Sequence, residues 1–164
     1  MDKTVPFLKL IIERKKLEMN AYEILKEKHQ KAVNELPIFF AFSNEQFNEG
    51  MKELGLKPHE TDKLYSLKGL GGFYLKTDAE KIFGTFEQNR KELAEAIKND
   101  KTGDGFIYDM FDYELSNHEF VLTGDTEETL SLFSLTKEMV ANDPCLAHGL
   151  EKAIAKQKKA SYGG

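Results

Sequence analysis

The sequence is short of cysteine, of long apolar runs and, over one long stretch, of positive charge. Its single cysteine, Cys145, excludes an internal disulfide and reads as a small buried hydrophobe in a helix. The longest apolar burst, Ile38 to Phe42, is strand-length, far below the eighteen or more residues of a membrane span. The opening stretch MDKTVPFLKLIIERKK lacks the apolar block and cleavage site of a signal peptide, so a cytoplasmic location is expected. No GxxxxGK[ST] or GxGxxG spacing occurs; the glycines of KLYSLKGLGGFYLK lead into a strand, which suits a hairpin turn rather than a phosphate cradle. No serine or cysteine has visible partners that would activate it as a nucleophile.

The third shortage is the most informative. From Thr102 to Thr136 there is no Lys or Arg, while Asp104, Asp109, Asp112, Glu114, Glu119, Asp125, Glu127 and Glu128 contribute −8. The net charge is −5, so the rest of the chain carries +3 (−5 minus −8). A stretch of this sign argues against direct nucleic-acid binding, because phosphate contacts need Lys and Arg. It suits a solvated acidic face, a cation site, or a docking surface for a basic protein. Asp109, Asp112, Glu119, Glu127 and Glu128 are the candidate partner-binding residues. A sharper version, a mimic of nucleic acid, needs the carboxylates exposed in rows.

At 164 residues and 31% charged, the chain suits one soluble domain with a real core. Apolar residues recur at helical spacing from 4 to 36, including Leu8, Ile11, Ile12, Tyr22 and Leu36, with a bend or break expected near Glu13–Met19. This helix suits either packing on a sheet or a homodimer contact. Strands are expected at 38–42, 64–68, 72–76 and 120–123. Ser43 with Gln46 and Thr77 with Glu80 read as capping boxes for helices after the first and third strands. The second of these helices should turn Ala79, Ile82, Phe83, Phe86, Leu93 and Ile97 inward. Asp125, Thr136 and Asp143-Pro144 start three C-terminal helices, the first with Leu130, Leu132 and Phe133 inward. These helices carry acidic or mixed surfaces, which disfavours a DNA-reading helix-turn-helix. The predicted architecture is α+β, a single domain over 1–160. A small, mostly antiparallel sheet in a core of 37–123 is covered by the helices of 1–36 and 124–157, with 158–164 as a flexible tail.

Two motifs bear on chemistry. Asp100, Thr102, Asp104 and Gly105 fall at positions 1, 3, 5 and 6 of a calcium loop, but position 12 is Phe111 where a bidentate Glu is needed. A polar turn is the simpler reading. For 106–118 both helical and strand periods fit, with Met, Glu and Leu favouring helix. On a helix, Glu114 and His118 stack one turn apart and could grip a divalent metal, with Glu119 as base. A third ligand, Asp109, His59 or His148, would have to come from elsewhere. No cofactor is predicted; Asp100, Asp104, Glu114 and His118 are the metal candidates, and Glu114, His118 and Glu119 the catalytic ones.

The blocks FFAFSNEQF (39–47), GGFYLK (71–76) and FDYELSNHE (111–119) resemble an uncharacterised domain family found on bacteriophages and conjugative elements, over about residues 37–155. The resemblance implies an accessory role on mobile DNA and supplies no catalytic residues. The expected function is therefore a non-enzymatic protein that binds a host or defence protein through 102–136, without contacting membrane. The alternatives are a metal-dependent hydrolase at Glu114, His118 and Glu119, and a small-ligand sponge built on the FFAFS strand and the GLGG hairpin.

Overall fold

The computed structural model describes residues 4–163. In chain order the elements are α1 (Thr4–Glu18), α2 (Ala21–Asn34), β1 (Phe39–Phe40), α3 (Asn44–Glu53), β2 (Leu64–Leu67), β3 (Gly72–Leu75) and α4 (Ala79–Asn99). They continue with α5 (Phe106–Asn117), α6 (Phe120–Thr123), α7 (Glu127–Leu132), α8 (Lys137–Asn142) and α9 (Pro144–Tyr162). The fold is α+β, mainly helical with one small antiparallel sheet. The chain divides into two compact units. One holds the residues up to Lys28 and those from Glu92 onward; the other holds His29–Lys91.

In the second unit the strand order is β1-β3-β2, all antiparallel, with Phe39 opposite Phe73 and Tyr65 opposite Tyr74. Alternation sends neighbouring side chains to opposite faces. Phe39, Phe73 and Phe47 cluster on the α3 side, with the Phe39 and Phe73 rings stacked 5.4 Å apart. Gly50 admits Phe39 there, since a Cβ would lie 2.1 Å from its ring. On the other face Tyr74, Leu36 and Ile82 form a small core with Ile38, Leu67 and Phe86. Ser43 caps α3 by accepting from the Gln46 N–H, and the Gln46 side chain accepts from the Phe42 N–H. Gly55, at φ +73°, closes α3 with paired bonds, its own N–H to the Lys52 carbonyl and that of Leu56 to Met51.

The first unit is organised by α5, whose Ile107, Met110, Phe111 and Leu115 are fully buried with Tyr22, Leu130, Val140, Leu146 and Ala153. Its main neighbour is α9, and Gly149 sets their approach: a Cβ there would lie 2.5 Å from Ile107 Cγ2. Asp143 starts α9 by accepting from the Cys145 and Leu146 N–H groups, with Pro144 in the first turn, and Thr136 caps α8 through the Met139 N–H.

Several expectations need correction. The break expected near Glu13–Met19 falls at the end of that region, at Met19–Asn20, because Asn20 and Glu23 form a reciprocal box: each side chain accepts from the other's N–H. Residues 1–3 lie outside the described residues. The strand expected at 120–123 is the single helical turn α6, bracketed by left-handed backbone at Glu119 (φ 54°) and Gly124 (φ 67°). A three-residue apolar run carries no period, and only Phe120 of the three is buried. A 3₁₀ turn, Lys76–Asp78, leads into α4, and the β1 ladder is shorter than 38–42. Phe83 and Leu132, expected inward, are about half exposed, at 55% and 51%. The tail expected from 158 is helical to Tyr162, its Ala and Lys residues being good helix formers, and Gly164 lies outside the described residues.

Candidate functional site

Residues 106–117 are helical, so Glu114 and His118 do stand one turn apart, and Glu114 is completely buried. The carboxylate is held from α2. The Tyr22 hydroxyl donates to Oε1 at 2.5 Å, and the Lys26 ammonium pairs with the same oxygen. The Asn117 amide donates to Oε2 at 3.4 Å. His118 Nε2 lies 3.6 Å from Oε2, and its Nδ1 lies 3.2 Å from Glu128 on α7. Tyr22 meets Tyr113, Phe106 and Phe133 edge to face, and Lys26 lies over the Tyr113 ring at 5.2 Å. Burial, then the Glu114 hydrogen bond and charge, push the Tyr22 hydroxyl pKa well up, so it stays a donor. The cluster is a buried, charge-assisted tie between α2 and α5.

A cation at Glu114 would have to displace one already there. Among the described residues no group of three or more His, Cys, Asp or Glu is placed to hold a metal ion. Glu119 is exposed at the start of α6, and His148 is engaged by Asp104. Adding Zn²⁺, Mn²⁺, Mg²⁺ or Ca²⁺ to metal-stripped protein is therefore expected to leave the melting temperature within about 1 °C. A rise of several degrees abolished by His118→Ala would establish a metal site through mass action.

The loop before α5 folds around Asp100. Its Oδ1 accepts from the Thr102 and Gly103 N–H groups and the Thr102 hydroxyl, and its Oδ2 from the Gly105 and Ile107 N–H groups. The oxygens that a calcium ion would need thus point into the loop's own backbone. Burial raises the Asp100 pKa, but the N–H groups of Ile107, Gly103 and Thr102 outweigh it and bring the pKa to about 2. A folded pKa below the unfolded one stabilises above the unfolded value, near pH 4, and the stabilisation is lost as pH falls toward 2. Asp100→Asn is expected to cost about 1–2 kcal/mol at pH 7, after allowing for solvent exposure, with the difference closing between pH 4 and pH 2 in urea titrations. A pH-independent difference would rule this out.

The acidic stretch is partly neutralised by α9. Lys152 and His148 both reach Asp104 Oδ1 at 2.9 Å, and Lys156 reaches Asp112 at 2.5 Å, with Gln157 on its other oxygen. These contacts lower the Asp104 pKa and raise those of Lys152 and Lys156. Burial, then the nearby Asp112 and Glu23 carboxylates, raise that of the half-buried Asp109. What stays exposed is the α6–α7 end: Glu119, Asp125, Glu127 and Glu128. There Val121 (48%), Leu122 (80%) and Leu132 (51%) are also exposed. Lys137 lies 3.8 Å from Glu127, and Asp125 accepts from the Glu127 N–H at the start of α7. Of the five candidate partner residues, Asp112 is thus committed to α9, whereas Glu119, Glu127 and Glu128 face solvent.

Tyr22 and Lys26 were missed from the sequence because they lie 92 and 88 residues from Glu114. For the α9 ladder a signal existed: His148, Lys152 and Lys156 recur every four residues, as do Asp104, Tyr108 and Asp112.

The profile of a family of unknown function (DUF7659) matches residues 21–156, and the chain belongs to that family. Neither a curated protein nor a solved structure shows significant similarity to it. Among the described residues no helix is long and apolar enough to cross a membrane.

Proposed function

We propose that this is a non-enzymatic accessory binding protein, cytoplasmic and encoded on a bacteriophage or mobile element, that engages a basic protein through its acidic surface. The mobile-element setting rests on the resemblance of the three blocks at 39–47, 71–76 and 111–119. The binding role rests on one observation: exposed carboxylates at Glu119, Asp125, Glu127 and Glu128 stand beside exposed Val121 and Leu122. Interfaces combine an apolar centre with a charged rim that selects the partner and speeds encounter. The carboxylates of Asp104, Asp112 and Glu114 are matched by lysines and set the fold instead.

The test is titration of the full chain with a lysine- and arginine-rich amphipathic helical peptide at two salt concentrations. Reversing Glu119, Glu127 and Glu128 to Lys is expected to weaken binding by about tenfold or more, with a salt dependence. Reversing Glu45, Glu49 and Glu53 on α3 changes net charge equally and is expected to leave binding unchanged. Equal losses from the two triples would reduce the effect to net charge and overturn the reading.

A further inference from the structure

Six large side chains of α1, Phe7, Leu8, Leu10, Ile11, Ile12 and Leu17, are 47–85% exposed. A helix apolar around most of its circumference is ordinarily covered, and an uncovered patch of this size marks an interaction site. Its charges have a definite sign: Lys9, Arg14, Lys15 and Lys16 against Glu13 and Glu18, four positive to two negative. The complementary surface belongs to the same unit. The α6–α7 face carries exposed carboxylates and exposed Val121, Leu122 and Leu132, in a stretch without Lys or Arg. Beside it runs an open groove of about 450 Å³ between α7 and α8, lined by Leu130 and Leu135 with Glu127, Glu138 and Lys137 among its polar residues, two carboxylates to one ammonium.

We infer that α1 of one copy docks into the α7–α8 groove and against the acidic α6–α7 face of a second copy, reciprocally, forming a two-fold homodimer. The inference rests on the reading of that face as a binding surface and names an occupant for it. Charge selects this pairing over α1 against α1, which would bring two predominantly basic helices together. Covering six large apolar side chains withdraws on the order of 500 Å² per helix. Two reciprocal contacts, counting both surfaces, then bury on the order of 2,000 Å², which is enough for a stable dimer. A reciprocal exchange closes on itself and ends at two copies.

Sedimentation velocity of the full chain over a concentration series tests this, with far-UV circular dichroism to check that each variant stays folded. Wild type is expected to dimerise. Ile11→Asp in α1 and, separately, Glu127→Lys in the groove with Glu128→Lys on the acidic face beside it should each raise the dimer dissociation constant by about tenfold or more. The two variants mixed one to one should recover heterodimer, because one intact α1 and one intact groove still meet. Pairing of α1 with α1 would give no such recovery. A wild type monomeric at every concentration overturns the proposal, including one whose α1 binds phosphatidylserine vesicles instead. So does a groove variant with the wild-type dissociation constant, or a mixture that stays monomeric. Repeating the basic-peptide titration on Ile11→Asp separates the two readings. Peptide binding without a wild-type dimer rejects the homodimer alone; absence of both rejects the acidic surface as well.

Discussion

Glu114→Ala is expected to lower stability by about 3–5 kcal/mol, because it removes the shared acceptor of a buried ionic cluster. Tyr22 is only 4% exposed, so its hydroxyl would be left in the core without its partner. Lys26, whose side chain is 39% exposed, can turn to water and loses less. In a chain of this size the loss corresponds to a fall of roughly 6–20 °C in melting temperature. Glu114→Gln keeps the shape and an acceptor for Tyr22 but not the charge, and should fall between alanine and wild type. Lys26→Ala leaves the carboxylate in the core without its ammonium partner, and should also be costly. A Tyr22→Phe and Glu114→Gln double-mutant cycle would isolate the pair, with a coupling of about 0.5–3 kcal/mol expected. An alanine variant melting within about 2 °C of wild type would show that α2 and α5 are held by apolar packing alone.

Gly103→Ala is expected to cost about 2–4 kcal/mol, combining backbone strain with overpacking. Gly103 has φ +82°, and a Cβ there would lie 2.2 Å from the Cys145 carbonyl oxygen. That oxygen belongs to the first turn of α9, fixed by the Asp143 cap and Pro144, so it cannot swing aside as a side-chain tip would. Gly124→Ala is the internal control. Its φ is similar, +67°, but nothing lies within 4 Å of the added Cβ, so only the strain of about 1 kcal/mol applies. Chemical denaturation of both variants reads the difference. Equal losses would mean that the loop and α9 yield to each other, and that close packing at Gly103 contributes nothing.

The two substitutions mark where sequence reading succeeds and fails. Asp100, Thr102 and Gly105 stand out as a ligand-like pattern, and the pattern is real, but its acceptors serve backbone N–H groups of the same loop. Nothing in the spacing tells an oxygen that faces a metal from one that faces an amide. The Glu114 and His118 pair was legible because helical periodicity stacks residues four apart. Its surroundings were not, since Tyr22, Lys26 and Glu128 come from other helices. The three-residue run at 120–122 shows the limit of local pattern: without a period, the left-handed residues on either side and the burial of Phe120 decide for one helical turn.

By itself the sequence determined the α+β class, the hairpin with its glycines, the caps at Ser43, Thr136 and Asp143, and the sign of the 102–136 stretch. Each depends on residues within a few positions of one another, where backbone hydrogen bonding and side-chain period act directly. Only the tertiary structure decided which carboxylates are neutralised and which remain available. Lys26, Lys152 and Lys156 reach Glu114, Asp104 and Asp112 across 88, 48 and 44 residues, and ion pairing at that range depends on how helices pack. For the same reason the apolar side chains of α1, whose spacing in sequence resembles any core-facing helix, lie open to solvent within the chain that carries them.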